Sequence, residues 1–516
     1  MHSSNLHERC LTNPVPCIVN TTASSRPWAW FIVTIIVAFV VLFYRLGALP
    51  IQLWDEARLA NSALEMAQSG LSLVTTYDGM PDHWNTKPPL LIWLMSISIR
   101  WLGPNEWGVR LPSVVAALAT VGIVFTFCNV RLKRPSIGFV AILVLFLGNG
   151  YVQTHAARSG DYDATLALWT TGYLLSGYMY MHDRESKRRL WLLLCAIAIV
   201  LAFLTKTIQG LIFLPALLIY AVTQGRMFEM LRSPAVYMAV AMVLLICVGY
   251  YFAREQLDPG YFAAVRDNDL LGRYSSAIDG HSGGPLYYVL YFPLLFVSLL
   301  LAGYQFWRGQ GERRQISVFL GVVSLFYLLV ISLGAAKLTW YAVPLFPLSA
   351  IIIAIGLDGV LEWTMMYWSS FKAITKGMLV PLCLLAAIGV IAENIYLLQR
   401  KEASDLSDRR YLTDFFLRSS IVQSESPKRF VVIQQGFAPS PDQDSAGYYG
   451  PTSFYVKALR AAGHSIAIQS PSADISPDFD DAVMCGAEMR DAMTARVTLD
   501  PLVTDGECGI YRLMAR

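Results

Sequence analysis

Asp55 and Arg58 are the first two side chains in the sequence that together could hold a hydroxyl group and a phosphate. They lie three positions apart in Trp54-Asp55-Glu56-Ala57-Arg58, at the start of a helical pattern that ends near Gln68. Side chains at this spacing share one face of a helix. A carboxylate and a guanidinium facing the same way could bind both groups, although a solvated pair after an apolar run is the more common situation.

A lysine suited to phosphate binding occurs in the segment Trp84-Asn85-Thr86-Lys87-Pro88-Pro89. The two prolines restrict the backbone after Lys87, and an apolar stretch at 89–102 includes the second of them. A lysine at this position could bind a lipid phosphate as a point charge. It could equally extend its ammonium group to lipid headgroups, and both interpretations remain open.

An Asp-x-Asp pattern, Asp161-Tyr162-Asp163, precedes another apolar stretch. Carboxylates can hold a divalent cation through their oxygen atoms. The pattern makes Asp161 a candidate metal ligand and keeps a divalent metal ion open as a cofactor. The dipole of a helix also favours acidic residues near its N-terminus, which is the structural alternative for both carboxylates.

Two further lysines and a tyrosine interrupt or border apolar runs. Lys206 divides the apolar stretch between Leu192 and Tyr220, and ionisable groups in such positions are candidates for function. Lys337 and Tyr341 lie four positions apart, where a loop enters a helical run. A solvated lysine in a short turn is the alternative interpretation of Lys206.

The elements that must position these residues are membrane-spanning helices. The 516-residue chain is 55% hydrophobic and only 15% charged, whereas soluble domains contain about 25% charged residues. Its net charge of +3 argues against a nucleic-acid partner, which requires a concentrated basic surface. Since about 20 apolar residues cross a bilayer, we predict about 11–13 transmembrane helices together with interfacial helices. The candidate runs are 28–46, 108–130, 136–153, 164–181, 190–205, 208–223, 235–253, 285–306, 316–334, 339–357 and 377–398.

Basic residues determine the predicted orientation. Lysine and arginine are enriched in cytoplasmic loops, and the basic clusters all become cytoplasmic if 1–27 is a cytoplasmic tail and 89–102 lies along the membrane. The first outer loop is then 47–107, and a second long outer loop is 254–284, either a lid or a plain surface loop. The candidate residues then lie in or next to the outer loops.

Residues 399–516 have the composition of a separate soluble domain, because charged residues, proline and serine return there, and the predicted topology puts them on the outer side. Patterns of strand or helix occur at Arg429–Gln434, Ser453–Ala462, Ser465–Gln469 and Gly509–Met514. These predict a small α/β domain on the outer, periplasmic face. Cys485 and Cys508 would lie in an oxidising compartment, which permits a disulfide; two unpaired thiols are the alternative.

The candidate residues fall in segments that keep one order along the chain. These are Trp54–Arg58, Asn85–Leu94, Gly108–Ser113, Ala157-Arg158 with Asp163–Leu166, Leu204–Lys206 and Lys337–Pro347. Together they resemble the lipid A aminoarabinose transferase-like family, which belongs with the protein O-mannosyltransferases in the GT-C superfamily. The resemblance covers about residues 30–360 and implies that 28–398 is a GT-C catalytic domain in the inner membrane.

The resemblance also implies an inverting glycosyltransferase, which moves a sugar from a polyprenyl phosphate to an acceptor hydroxyl. Asp55 would be the catalytic base, and Asp163 a second catalytic acid beside the donor sugar or the acceptor. The expected ligands of the donor phosphate are Lys87, Arg58, Lys206, Tyr341 and Lys337. The chain departs from the family in carrying Asp161 as an additional acid and Thr207 where many relatives have glycine.

The sugar and the acceptor remain open, although a lipid A-type glycolipid is favoured over other lipopolysaccharide sugars, capsule or protein. Membrane lipids are the other expected partners. A flippase or transporter is the alternative function, but transporters place ionisable residues at the bilayer midplane in broken helices. A scaffold protein would not require carboxylates and cations on one side of the membrane.

Overall fold

The computed structural model describes residues 27–148, 150–153, 155–183, 185–268, 282–367, 371–422, 429–436, 448–473 and 478–514. These form a helical membrane part, which begins with α1 (Pro27–Phe43), and a small C-terminal domain built on a mixed sheet. The predicted fold class, a polytopic helical membrane protein with a C-terminal α/β domain, is confirmed.

The membrane part consists of helices with one short hairpin. After α1 come α2 (Asp55–Ser69), α3 (Leu90–Leu102), α4 (Glu106–Leu132), α5 (Pro135–Phe146), α6 (Tyr162–His182), α7 (Glu185–Lys206), α8 (Leu214–Thr223), α9 (Met227–Leu231), α10 (Pro234–Leu257), α11 (Tyr261–Val265), α12 (Tyr287–Tyr291), α13 (Pro293–Arg308), α14 (Gly311–Leu333), α15 (Phe346–Tyr367) and α16 (Phe371–Ser407). The hairpin is β1 (Thr76–Tyr77) with β2 (Met80–Pro81). Short 3-10 helices occur at Thr207–Leu211 and Thr339–Leu345.

Six helical segments of the described residues are long and apolar enough to cross a membrane. They are Glu106–Leu132, Ser186–Leu211, Pro234–Leu257, Gly311–Leu333, Thr339–Thr364 and Met378–Ser407. Helices α1, α3, α5 and α8 are apolar but shorter. The run predicted at 285–306 is divided between α12 and α13 at Pro293, because proline lacks the amide hydrogen that a helix interior requires.

Helix α6 carries Asp163 in its first turn and lies in the interior of the membrane part. Its buried residues are on all sides of the helix, as expected where other elements surround it. It packs against α4, α7 and the 3-10 helix Thr339–Leu345. The start of α6 is therefore where segments distant in sequence can bring charged side chains together.

The predicted helix after Pro88-Pro89 is α3, which begins after Pro89 and packs against α2 and α4. Its amphipathic sequence and exposed Trp101 suit an interfacial location. The position of α3 relative to a bilayer stays a prediction.

The C-terminal domain contains helices α17 (Arg409–Val422), α18 (Gly450–Ala461) and α19 (Ala487–Thr494), and strands β3 (Arg429–Ile433), β4 (Ser465–Gln469), β5 (Asp481–Cys485), β6 (Thr498–Asp505) and β7 (Cys508–Met514). The strand order is β4-β3-β5-β7-β6. Strand β3 is parallel to β4 and β5, whereas β7 is antiparallel to β5 and β6. The predicted strands and helix are present, and Cys485 forms a disulfide with Cys508. Helix α16 runs without a break through the domain boundary predicted at 398/399.

A hydrophobic cluster joins the C-terminal domain to the first predicted outer loop. It unites Ala60 and Leu64 of α2 with Phe454 and Leu459 of α18. The hydroxyl of Tyr455 accepts a hydrogen bond from the Ile51 amide at 2.9 Å and donates one to Glu106 at 2.6 Å. These buried contacts fix the start of α2 against the C-terminal domain.

Candidate active site

The carboxylate of Asp55 is accessible at the first residue of α2. Of its side chain, 25% is exposed, and Nδ1 of His155 lies 3.8 Å from Oδ2. The Glu56 carboxylate accepts a hydrogen bond from the backbone amide of Gln52 at 2.7 Å, which stabilises the turn before the helix. Two acidic residues in the first turn also interact favourably with the helix dipole. The carboxylate is thus held on a rigid element and left open on one side.

Trp54, immediately before Asp55, adopts a left-handed backbone conformation with φ of 71°. Non-glycine residues in this region cost of order 1–3 kcal/mol. The indole stacks on Tyr448 with ring centroids 5.2 Å apart, and the carbonyl of Trp54 accepts a hydrogen bond from the Tyr448 hydroxyl at 3.2 Å. The C-terminal domain therefore helps to hold the turn that directs Asp55.

His155 and Asp161 form a second charged pair next to Asp55. Their atoms Nδ1 and Oδ2 are 2.6 Å apart, and the imidazole stacks on Trp340 at 3.8 Å between centroids. Burial alone would lower the pKa of His155, but the hydrogen bond to Asp161 and the charges of Asp161 and Asp55 raise it above its ordinary value. A protonated His155 would place a positive charge 3.8 Å from the Asp55 carboxylate.

Asp55, His155 and Asp161 also form the candidate metal site. Each offers one ligand atom, and the three atoms lie within 4.8 Å of one another. Two carboxylates and an imidazole suit a borderline divalent cation such as Zn²⁺. The donor set therefore fits a metal ion. The sequence indicated Asp161 for this role, but it indicated neither of the other two as ligands.

Asp163 forms a buried ion pair with Lys206. The Nζ atom of Lys206 donates to both carboxylate oxygens, at 2.7 and 2.9 Å, and the side chains are only 1% and 4% exposed. Because Asp163 is enclosed and neutralised, it differs from Asp55, which is accessible. The two carboxylates expected to be catalytic therefore lie in different environments.

A cavity of about 770 Å³, including its opening, is lined by three of the predicted phosphate ligands, Lys87, Lys206 and Tyr341. Apolar side chains complete its wall, among them Ile212, Val330 and Ile331. Lys206 lies 5.9 Å from the centre of the Tyr341 ring. Cations at one end of an apolar cavity suit a ligand with a charged head and a hydrocarbon chain.

Arg58 points to a carboxylate of its own loop. It donates two hydrogen bonds to Asp82, at 2.9 and 2.6 Å, and its guanidinium lies 4.8 Å from the centre of the Trp84 ring. The ammonium of Lys87 is 6.0 Å from the same ring. Arg58 thus neighbours the cavity across Trp84 instead of lining it.

The ammonium group of Lys337 also forms its hydrogen bonds with nearby backbone carbonyls. Its ammonium donates to the carbonyls of Ser332, at 2.9 Å, and of Gly334. These carbonyls lie at the C-terminal end of α14, where a cation interacts favourably with the helix dipole. This arrangement stabilises the loop before Thr339. The Lys337 ammonium binds the carbonyl of Gly334, a residue of the cavity wall, but Lys337 is not among the described residues that line the cavity.

Glu56 and Arg110 form a buried junction whose role we did not predict from the sequence. Arg110 donates to both carboxylate oxygens of Glu56, at 2.8 and 3.0 Å, and to the carbonyls of Leu46, Leu49 and Pro50. Glu56 also accepts a hydrogen bond from the backbone amide of Gly160 at 2.7 Å. One ion pair therefore links α2, α4 and the loop that carries Asp161.

His155 and Asp82 are further residues of the site that sequence reasoning missed. The role of Arg110 could have been predicted from the sequence, because an arginine among apolar residues near the start of α4 requires a buried partner. His155 had no comparable signal, since its neighbours Asp55 and Trp340 are distant in sequence. Its positive φ of 63° is likewise visible only in the structure.

Comparison with known proteins supports the resemblance. A family model described as dolichyl-phosphate-mannose-protein mannosyltransferase matches residues 86–251. An undecaprenyl phosphate-alpha-4-amino-4-deoxy-L-arabinose arabinosyl transferase of Pseudomonas fluorescens (strain Pf0-1) is 27% identical over 63% of this chain and 57% of its own length. A second such transferase, from Pseudomonas aeruginosa (strain LESB58), is 30% identical over 60% of this chain and 57% of its own length. The chain is similar to both transferases over about three fifths of its own length.

Solved structures establish the fold. ArnT from Cupriavidus metallidurans bound to undecaprenyl phosphate superposes with a TM-score of 0.68 at 19% identity, covering 94% of this chain and 98% of that one. The same protein in the apo state gives a TM-score of 0.65. The protein has the fold of ArnT, and its long apolar helices make it a multi-pass membrane protein. By sequence, the chain aligns with somewhat more than half the length of the relatives named above.

Proposed function

We propose that this GT-C protein is an inverting glycosyltransferase that moves a sugar from a polyprenyl phosphate to an acceptor hydroxyl. The observation that carries the proposal is the cavity lined by Lys87, Lys206 and Tyr341, taken together with the accessible Asp55 carboxylate. His155 connects the two, because it lies 3.8 Å from Asp55 and stacks on Trp340, the neighbour of Tyr341.

In the proposed reaction, the oxygen of the acceptor hydroxyl attacks the anomeric carbon of the donor sugar. The ionised Asp55 accepts the proton of that hydroxyl at the same time. The bond from that carbon to the phosphate oxygen breaks on the opposite side, so the configuration inverts. The polyprenyl phosphate leaves with the bonding electrons. A positioned base contributes about 10²–10⁴-fold to the rate.

Lys87 and Lys206 stabilise the leaving group. Negative charge grows on the phosphate as the bond breaks, and cations in a water-poor cavity offset it strongly. Asp163 positions the ammonium of Lys206 through the two short hydrogen bonds. Tyr341 lies beside that ammonium and completes the polar end of the cavity, whereas Arg58 and Lys337 stabilise the surrounding loops.

A divalent metal ion would be held by Asp55, His155 and Asp161 and would supply Lewis-acid stabilisation to an oxygen atom of the substrate. Dialysis of the purified protein against a chelator tests this. If a metal is required, transfer falls and is restored by Zn²⁺ or Mn²⁺, and elemental analysis finds about one ion per chain. Full activity in metal-free protein would remove Asp161 from this role.

We propose an undecaprenyl-phosphate-linked sugar as the donor, because the relatives are named for such donors. A glycolipid of the lipid A type is the favoured acceptor, and other lipopolysaccharide sugars, capsule and protein are the alternatives. We place the protein in the inner membrane with Asp55 and the C-terminal domain on the periplasmic side. The reason is that the basic loops would then face the cytoplasm.

Lipid analysis of a deletion strain and its parent tests the function. A glycolipid that loses one sugar, together with accumulation of a polyprenyl-phosphate-linked sugar, is the expected result. It would identify donor and acceptor by mass. Unchanged glycolipids and unchanged donor levels would contradict the glycolipid transferase.

Binding of undecaprenyl phosphate to the purified protein gives an independent readout. Lys87→Ala is expected to weaken this binding about 10-fold or more, because the variant loses a cation from the cavity. Asp500→Asn, an exposed carboxylate on β6, is the control and is expected to bind like the wild type. A flippase would also bind the lipid, but purified protein in detergent would then form no transfer product.

A further inference from the structure

Thr207 has a left-handed backbone conformation in the wall of the cavity that Lys87 and Tyr341 also line. Its φ is 46°, and a residue with a branched Cβ rarely adopts a positive φ. Helix α7 ends at Lys206, and the chain turns at Thr207 into the 3-10 helix Thr207–Leu211. The strained residue therefore lies where the backbone changes direction, next to a lysine of the cavity wall.

The change of direction does not itself require threonine. Glycine adopts a positive φ without steric cost and is the usual residue where a chain must do so. The same 3-10 helix contains glycine where close contact requires it, because a Cβ atom at Gly210 would lie 2.4 Å from the carbonyl oxygen of Ala202. Position 207, by contrast, carries a side chain that strains the backbone. Strain of this kind concentrates at functional sites, which directs attention to the side chain itself.

The side chain of Thr207 brings a hydroxyl group to the cavity wall, and only 3% of the residue is exposed. Two residues earlier, the hydroxyl of Thr205 donates to the carbonyl of Leu201 at 2.7 Å, a common contact of threonine within a helix. Among the residues that the structure describes, the Thr207 hydroxyl has no such hydrogen bond. A hydroxyl group in this situation can donate to a ligand in the cavity.

The other polar groups of the cavity wall indicate which ligand group this hydroxyl would bind. Lys87 and Lys206 are cations, and both line the cavity. They favour an anion, and a hydroxyl group forms a stronger hydrogen bond to an anionic oxygen than to a neutral one. Because the ammonium of Lys206 is paired with Asp163, an additional neutral donor would help to hold a phosphate there.

We propose that the hydroxyl of Thr207 is a ligand of the donor phosphate, and that the strained backbone at this position is retained because of that contact. The hydroxyl donates a hydrogen bond to a phosphate oxygen next to the ammonium of Lys206. The proposal rests on the lipid-phosphate donor of the function proposed above and adds a ligand without charge. It predicts that one substitution can relieve strain and weaken lipid binding together.

The test uses full-length protein in detergent and compares the binding of two lipids, undecaprenyl phosphate and undecaprenol, which lacks the phosphate. Thr207→Val keeps the shape of the side chain and removes the hydroxyl, whereas Thr207→Ser keeps the hydroxyl. Thr207→Gly removes the side chain and the strain together. Thr498→Val is the matched control, because Thr498 is an exposed threonine on β6.

Thr207→Val and Thr207→Gly are expected to bind undecaprenyl phosphate about 10-fold more weakly than the wild type, because each loses a hydrogen bond to a charged group. Their affinity for undecaprenol is expected to stay within about 2-fold of the wild type. Thr207→Ser and Thr498→Val are expected to bind both lipids like the wild type. The melting temperature of Thr207→Gly is expected to equal or exceed that of the wild type, since glycine removes the strain.

Equal affinities of Thr207→Val and the wild type for undecaprenyl phosphate would overturn the role of the hydroxyl and leave the proposed transferase intact. An equal loss of affinity for undecaprenol would also overturn it, because the side chain would then contact the hydrocarbon chain. A lower melting temperature of Thr207→Gly would overturn the link between strain and binding. If the wild-type protein bound no undecaprenyl phosphate, the proposed function itself would fail, and the phosphate contact with it.

Discussion

The carboxylate of Asp163 accepts two hydrogen bonds from the ammonium of Lys206, across the interface between α6 and α7. The sequence had suggested separate roles for these residues, one with the sugar or acceptor and one with the phosphate. Their pairing makes them one unit, in which the acid fixes the cation at the wall of the cavity that Lys87 and Tyr341 also line. A buried charge held this way is pre-organised before the donor binds.

Removing only the cation of this pair is expected to destabilise the protein. Lys206→Met leaves Asp163 buried without its partner, and breaking such a pair costs about 3–5 kcal/mol. The double variant Lys206→Met/Asp163→Leu is expected to recover most of this loss but not the binding of undecaprenyl phosphate. Thermal unfolding in detergent and lipid binding measure the two effects. A single variant as stable as the wild type would show that water or lipid compensates the carboxylate.

Asp55→Asn is expected to slow transfer strongly without affecting the fold. The asparagine amide keeps the shape of the carboxylate but cannot take the proton from the acceptor hydroxyl. The rate of sugar transfer is therefore expected to fall about 10²–10⁴-fold. Binding of undecaprenyl phosphate and the melting temperature are expected to stay near wild type. Asp500→Asn serves as the control for an exposed aspartate. Normal turnover by purified Asp55→Asn would exclude Asp55 as the base.

Arg110→Lys is expected to lower both stability and activity, although it keeps the positive charge. Lysine cannot reproduce the planar set of donors that reaches Glu56 and the carbonyls of the first loop. Breaking a buried pair of this kind costs about 3–5 kcal/mol. We expect a lower melting temperature and slower transfer, measured on the same preparation. Arg400→Lys, at an exposed position, is the control, and equal effects of the two changes would contradict a special role for the junction.

The proposed orientation predicts that Met80 is accessible from outside the inner membrane and Lys133 only from the cytoplasm. Both side chains are exposed in the structure. Met80→Cys and Lys133→Cys are made in a chain whose cysteines outside the Cys485–Cys508 disulfide are alanine. An impermeant thiol reagent applied to spheroplasts is expected to label only the first variant. Labelling of position 133 from outside would reverse the topology.

The sequence was sufficient for the helices and strands that depend on local pattern. Apolar runs predicted the membrane helices, and β4 was predicted at Ser465–Gln469, where it is found. The lengths of individual runs were less predictable. The run at 208–223 forms a ten-residue helix after a 3-10 turn, because the backbone breaks after Lys206 although the side chains remain apolar.

Site residues were predictable where their type and sequence context indicated a function. Their partners were not predictable where tertiary packing determines the contact. Lys87, Lys206 and Tyr341 were named from the sequence and line one cavity. The partners of Arg58 and Lys337 were not predictable, since Asp82 and the carbonyls at the end of α14 come within reach only through the turns of each loop. His155 acquires its neighbours when α6 packs against the 3-10 helix Thr339–Leu345, and no local pattern encodes that contact.

The hydrogen bond between the Ile51 amide and the Tyr455 hydroxyl joins positions 404 residues apart. At synthesis rates of about 5–20 residues per second, these two partners emerge about 20–80 seconds apart. During that interval the turn before Asp55 lacks the contact that holds it, along with the stacking of Trp54 on Tyr448. The nascent chain therefore completes the geometry around Asp55 only after the domain that carries Tyr455 has been synthesised and has folded, so maturation of the site waits for a segment 404 residues further along the chain.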